Sequence, residues 1–153
     1  MNDSPTGPVP TGPVLVGTDG SAVATRALGV AAGLARALDA ELIVVYAVGL
    51  TAVIDGELVP AAEHRDDLER LLRSDWTASL GAPGERVRWR AALEYGSAAD
   101  VLTRLADELE TSFVVVGTRG HRDLGPGLLG STSHHVVHHC RRPVVVVPPD
   151  TGD

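Results

Sequence analysis

Residues 14–21 read Val-Leu-Val-Gly-Thr-Asp-Gly-Ser, and this stretch decides the fold. A short apolar run ends in the turn-forming pair Asp19-Gly20, which predicts a buried strand followed by a turn. Ser21 is a favourable N-cap for the helix that follows. The apolar residues of that helix share one face: Ala24, Ala27, Leu28, Ala31, Leu34, Ala35 and Leu38. The sequence therefore predicts a strand–turn–helix unit.

Strand-like and helix-like patterns continue to alternate downstream of this unit. Three runs are strand-like and apolar throughout: 41–48, 113–118 and 143–147. Three segments have apolar residues at helical spacing: 61–80, 97–109 and 131–140. Residues 86–93 alternate between apolar and polar side chains, which predicts an edge strand with one wet face. The stretch 49–60 is predicted to be irregular, either a lid or a surface loop.

The order of elements predicts the fold class. Apolar strands separated by helices are typical of an α/β protein whose parallel sheet is covered on both faces. Because crossovers are nearly always right-handed, we expect one doubly wound, five-stranded sheet with strand order 3-2-1-4-5. That order places the alternating third strand at an edge. We predict a single domain over residues 13–149, flanked by mobile tails at 1–12 and 150–153.

Composition excludes several functional classes. The 153 residues carry a net charge of −7, and all 13 basic residues other than histidine are Arg. The absence of Lys excludes a Schiff-base lysine and the lysine of a Walker A loop. The acidic balance and the 3% aromatic content argue against binding to nucleic acid or an anionic membrane. With a lone Cys140, no signal peptide and no long apolar run, we expect a cytoplasmic protein.

The predicted topology also indicates where a ligand would bind. In a doubly wound sheet the crevice opens beyond the carboxyl ends of the strands, where the winding direction reverses. For the order 3-2-1-4-5 this point lies between the first and fourth strands. The segments that leave these strands, 17–21 and 117–122, are both rich in Gly and hydroxyl residues. We therefore expect the site between them.

A phosphate site is predicted at the start of the last helix. Gly130-Ser131-Thr132-Ser133 opens this helix, whose first N–H groups have no intrahelical partners. The positive end of the helix dipole favours an anion there, and such a site requires no lysine. The alternative is that the glycines only form a turn and that Ser131 only caps its helix.

The spacing Gly117-x2-Gly120-x9-Gly130-Ser131 resembles the nucleotide-binding signature of the universal stress protein family. The resemblance extends to the Val-Gly-Thr-Asp-Gly-Ser opening, the VVHHC helix and the PVVVVP ending. It implies a Rossmann-like fold of the adenine nucleotide alpha hydrolase type. It also implies ATP as the ligand, with Mg²⁺ or Mn²⁺ on the phosphates as an open question.

The resemblance implies a role for each matching position. The expected nucleotide-contacting residues lie after the first, second and fourth strands and at the last helix: Gly17, Thr18, Asp19, Ala47, Gly117, Thr118, Arg119, Gly120, His121, Arg122, Gly130, Ser131, Thr132 and Ser133. Each has a simpler alternative. Asp19 would only stabilise its turn, and Arg119 and Arg122 would only be solvated.

Four histidines stand in two i, i+4 pairs, His134 with His138 and His135 with His139. Such pairs can hold a metal ion, but no third ligand is evident, and we predict no metal site. The last two histidines fit an interaction with the helix dipole better. No GxSxG nucleophile motif is present, and we predict no catalytic residue.

The leading hypothesis is a nucleotide-dependent regulatory protein of the stress response. One alternative is an enzyme in the same crevice, a slow ATPase or an adenylyl-transferring protein with His121 as general acid or base. Another is an association module that binds no nucleotide. Family resemblance and the apolar edge at 144–147 predict a homodimer through the fifth strand.

Overall fold

The computed structural model describes Gly7 and residues 10–119 and 129–150. The strands in these ranges are β1 (Val14–Gly17), β2 (Leu42–Val48), β3 (Thr51–Ile54), β4 (Glu57–Pro60), β5 (Trp89–Tyr95), β6 (Phe113–Gly117) and β7 (Val144–Val147). The α-helices are α1 (Ala22–Leu38), α2 (Arg65–Arg73), α3 (Ala98–Glu108) and α4 (Ser131–His139). Across the described ranges, every helix is too short or too polar to cross a membrane.

Five strands form one parallel sheet in the order β5-β2-β1-β6-β7. These are the third, second, first, fourth and fifth strands of the sequence prediction, so the predicted doubly wound topology is confirmed. The strand predicted to lie at an edge, now β5, does so. The winding direction reverses between β1 and β6, which are neighbours in the centre of the sheet.

Two apolar cores cover the two faces of the sheet. Val14 and Val16 point to the face covered by α1 and α2, whereas Leu15 points to the face covered by α3 and α4. All three side chains are fully buried. The central strands are therefore apolar on both faces, which explains why their sequences are continuous runs of Val, Leu and Ile.

The stretch 49–60, predicted to be irregular, forms an antiparallel hairpin of β3 and β4. Asp55 and Gly56 make the two-residue turn with φ of 50° and 82°. Two positive φ values are what a type I′ turn requires, and Asp-Gly is a favoured pair for it. The prediction of irregular structure was wrong because this Asp-Gly signal was not used.

The single helix predicted over 61–80 is also wrong. The chain forms a 3₁₀ turn at Ala61–Glu63, the shorter α2, and a second 3₁₀ turn at Ala78–Leu80. The hydroxyl of Thr77 is buried and donates to the carbonyl of Leu72 at 2.9 Å. This bond satisfies a carbonyl that a longer helix would have used, and α2 ends there.

The third strand begins later than predicted. Glu85 N–H donates to Ala82 O at 3.1 Å and Gly84 N–H donates to Val87 O at 2.9 Å, so residues 82–87 form a turn and bends rather than strand. The strand then runs on to Tyr95, which pairs with Val48. The inward positions of the predicted alternation were correct, since Val87 and Ala91 are buried.

Candidate functional site

A cleft of about 500 Å³ lies at the carboxyl ends of β1 and β6, where the winding direction reverses. Ten of the predicted site residues line it: Gly17, Thr18, Asp19, Ala47, Gly117, Arg119, Gly130, Ser131, Thr132 and Ser133. Thr118 lies between two of these, and Gly120, His121 and Arg122 lie outside the described residues. The structure thus brings together segments more than a hundred residues apart in sequence.

The start of α4 opens onto this cleft. Gly130 is the N-cap with φ −65° and ψ 163°, and no side chain caps the helix. The first helical bond runs from His134 N–H to Gly130 O at 3.0 Å. The amides of the three residues between them are consequently not used by the helix itself. All three residues line the cleft, so it contains the positive end of the α4 dipole.

Two hydrogen bonds to the carbonyl of Thr118 hold the start of α4 in place. Gly130 N–H donates to this oxygen at 2.6 Å and Ser133 Oγ donates to it at 2.9 Å. Ser133 is 2% exposed, so its hydroxyl is committed to the protein. Its Oγ therefore positions the helix and is a poor candidate for a phosphate donor. Thr118 Oγ1 is buried and has no hydrogen-bond partner within residues 10–119 and 129–150.

The loop after β1 forms the opposite wall. Thr18 N–H donates to Val45 O at 2.9 Å, which fixes the loop against β2. Asp19 Oδ1 accepts from Ser21 N–H at 3.0 Å, and Ser21 Oγ accepts from Ala24 N–H at 3.2 Å. Asp19 therefore stabilises its turn, as the simpler alternative proposed, and it also lines the cleft.

The positions of Gly17 and Gly117 have no room for a side chain, because neighbouring helices pack against them. A Cβ at Gly17 would lie 2.9 Å from Leu102 Cδ1, and one at Gly117 would lie 2.6 Å from Val23 Cγ1. These glycines let α3 and α1 approach the strand ends. Both were expected to contact a nucleotide, and the structure supplies a packing reason for each.

A pair of aromatic rings, Tyr46 and Trp76, packs beside the turn at Asp19 and Gly20. The Tyr46 and Trp76 rings meet edge to face, with centroids 5.0 Å apart and an interplanar angle of 81°. Gly20 has φ 78°, and a Cβ there would lie 2.4 Å from the Trp76 ring, so this position requires glycine in both respects. Burial, and secondly the charge of Asp19, raise the pKa of Tyr46 above its ordinary value.

The stretch 49–60 was expected to be a lid or a surface loop, and none of its residues was among the predicted site residues. Thr51, Ala52, Val53 and Leu58 line the cleft. Trp76, within the segment predicted as a helix over 61–80, instead follows α2, and its ring packs against that of Tyr46. The Asp55-Gly56 pair was the available signal for the hairpin. Nothing local in the sequence indicates that Trp76 reaches Tyr46.

The histidine pairs lie on α4, directly after the three residues of this helix that line the cleft. The rings of His134 and His138 are 4.5 Å apart, and those of His135 and His139 stack at 4.1 Å. His139 Nδ1 lies 3.0 Å from His135 O, as a donor to a carbonyl of the last turn would. In the part of the chain that the structure describes, no three His, Cys, Asp or Glu side chains form a group suited to a metal ion.

Comparison with known proteins gives the family. The profile of the universal stress protein family matches residues 11–148. A universal stress protein of Thermus aquaticus is 33% identical over 136 residues, which cover 88% of this chain and 96% of the relative. Universal stress protein YxiE of Bacillus subtilis is 31% identical over 144 residues, covering 88% and 97%.

A solved structure agrees with this assignment. The crystal structure of a universal stress protein in complex with cAMP superposes with a TM-score of 0.66 at 27% identity, covering 90% of this chain and 98% of the other. The residues that match the family profile, 11–148, include both strand-end loops and the start of α4. The chain belongs to the universal stress protein family.

Proposed function

We propose that this chain binds ATP in the cleft between β1 and β6 and that nucleotide occupancy regulates its association with a partner. The observation that carries the proposal is the start of α4. Three amides that the helix does not use, at Ser131, Thr132 and Ser133, belong to residues that line the cleft. Backbone amides at a helix N-terminus bind phosphate without a lysine, and this chain has none.

The choice of an adenine nucleotide rests on two further supports. The similar universal stress protein solved with cAMP contains an adenine nucleotide. In this chain, Ala47 at the end of β2 and the loop at Gly17–Asp19 line the part of the cleft across from α4. The choice of ATP rests on the Gly117-x2-Gly120-x9-Gly130-Ser131 spacing. We propose that Mg²⁺ or Mn²⁺ enters with the phosphates and assign it no protein ligand.

We further propose a cytoplasmic homodimer that forms through β7. This strand lies at the edge of the sheet and pairs only with β6 among the described strands. All four of its residues are valines. An apolar edge strand with unpaired backbone groups is usually covered, and a two-fold contact between two copies would cover it.

The site is tested by placing a negative charge where the phosphate would lie. We expect Ser131→Asp to weaken ATP binding at least about tenfold, because its carboxylate repels the phosphates. The same carboxylate stabilises the start of α4, since acidic residues favour the positive end of a helix. Isothermal titration calorimetry measures the affinity, and thermal unfolding measures the stability.

The matched control is Ser131→Asn, since the Asn side chain has the same size as that of Asp and carries no charge. We expect it to bind ATP within about a factor of three of the unchanged protein. An Asp variant that is folded and binds ATP as tightly as the Asn variant would contradict the assignment of the phosphates to α4.

A further inference from the structure

The β3–β4 hairpin has two chemically different faces. Its register sets Val53 opposite Leu58 and Ala52 opposite Val59, and opposed residues share a face. Ala52 is 4% exposed and, with Ile54, packs against the core beneath α1 and α2. On the other face, Val53 and Leu58 line the cleft, and Ala52 also reaches the cleft from the core face. The hairpin is thus held on one side by the core and presents an apolar surface to the site on the other.

The base of the hairpin is fixed to the body of the protein. Ala61 N–H donates to Leu50 O at 3.0 Å where the two strands of the hairpin leave and rejoin the chain. Ala61 itself is 1% exposed. Ala52 and Ala61 both belong to the core under α1 and α2, and their burial there attaches the hairpin to the sheet.

Leu58 is the unusual residue on this face. It lines the cleft, yet it is 69% exposed. A large apolar side chain at the mouth of a cleft gains free energy when an apolar or aromatic ligand group covers it. A phosphate group would not provide this gain, and the phosphates are already placed at α4, the polar end of the site.

We infer that Val53 and Leu58 form the wall against which the nucleobase packs, so that the hairpin selects a base-bearing nucleotide over a bare polyphosphate. This inference rests on the proposed function and adds to it the part of the protein that recognises the base. The phosphates lie at the α4 amides, and the base lies between the hairpin and the end of β2. The two ends of the cleft thus recognise the two chemically different ends of the ligand.

The test compares two leucines of the same segment. Leu58→Ser removes the apolar wall, and Leu50→Ser is its matched control, since Leu50 is 94% exposed and does not line the cleft. Calorimetry with ATP and with inorganic tripolyphosphate measures the two halves of the site separately. We expect Leu58→Ser to weaken ATP binding about tenfold and leave tripolyphosphate binding unchanged. Leu50→Ser should change neither affinity.

A second variant guards against an indirect effect at the exposed position. Val53→Thr keeps the shape of the side chain and makes it polar, and it should weaken ATP binding in the same direction. ATP affinities that are equal in Leu58→Ser and Leu50→Ser would overturn the inference while leaving the α4 site standing. An equal loss for ATP and tripolyphosphate would overturn it as well. If the unchanged protein binds ATP no more tightly than it binds tripolyphosphate, the inference that Val53 and Leu58 hold the base is wrong. If it binds neither, the proposed function fails and the base wall with it.

Discussion

At the scale of single residues, the carbonyl of Thr118 organises the proposed phosphate end of the cleft. It accepts from Gly130 N–H and from Ser133 Oγ, and so ties the end of β6 to the start of α4. Ser133 and Ser131 are two residues apart on the same helix turn, but their hydroxyls have different surroundings. Ser133 is buried inside this contact, whereas Ser131 is exposed. Ser133 therefore has a structural role, whereas the hydroxyl of Ser131 is open to solvent.

This difference leads to a prediction for stability. We expect Ser133→Ala to lower the free energy of unfolding by about 1 kcal/mol, because it removes one buried hydrogen bond while Thr118 O keeps its bond to Gly130. Ser131→Ala should change stability by less than about 0.5 kcal/mol, as is usual at an exposed position. Urea unfolding of both variants measures the difference. Equal stabilities would mean that the Ser133 bond contributes nothing to the fold.

At this scale, the sequence indicated some of the residues that line the cleft and not others. Gly17 and Gly117, at the ends of β1 and β6, both line the cleft because parallel strands bring their carboxyl ends to one edge of the sheet, and their contact with a ligand stays a prediction. Trp76 and Leu58 were missed because their positions depend on tertiary packing between segments. Ser133 was located, but its hydroxyl bonds the backbone instead of facing the ligand. Spacing places a residue near a site and does not fix the direction of its side chain.

At the scale of elements, predictions were best where the pattern was long and apolar. Strands β1, β2 and β6 have continuous buried runs, and the order of the sheet followed from them. The hairpin was missed because its strands have only four residues each and the Asp55-Gly56 turn signal between them was not used. Helix α2 was predicted too long because helical spacing continued past Arg73, while the hydroxyl of Thr77 ended the helix.

The free edge of β7 allows a prediction about assembly. Val114 N–H donates to Pro143 O and Thr118 N–H donates to Val147 O, so the odd-numbered residues of β7 bond to β6. The backbone groups of Val144 and Val146 consequently point to the free edge. We expect Val146→Pro to convert a dimer to a monomer, because proline removes one of these outward N–H groups and is tolerated at a sheet edge.

Sedimentation velocity at micromolar concentration measures this change, and circular dichroism confirms that the variant is folded. Val48→Ala in β2 is a suitable control, because β2 lies inside the sheet, next to β5 and β1, and this change leaves the β7 edge intact. If the unchanged protein sediments as a monomer, or the folded proline variant as a dimer, the β7 contact is not the interface.

At the scale of the whole molecule, the cleft joins parts of the chain that are otherwise held by separate cores. The loop after β1 lies against Tyr46 and Trp76, which belong to the core under α1 and α2. The start of α4 is attached through Val136 to the core under α3 and α4. A ligand that contacts both walls would connect the two faces of the sheet. It binds only the folded chain, because no short segment contains both walls, and therefore it must stabilise the whole fold.

The size of this stabilisation follows from mass action. ATP at about 100 times its Kd adds about 2.7 kcal/mol to the free energy of unfolding. In a chain of this length each kcal/mol corresponds to roughly 2–4 °C, so Tm should rise by roughly 5–11 °C. Differential scanning calorimetry measures the shift. At the same ATP concentration a tenfold weaker Ser131→Asp should gain only about 1.4 kcal/mol, about half as much, whereas Ser131→Asn should gain at least about 2 kcal/mol. The proposal that ATP joins the two walls is wrong if ATP binds by calorimetric titration and leaves Tm unchanged.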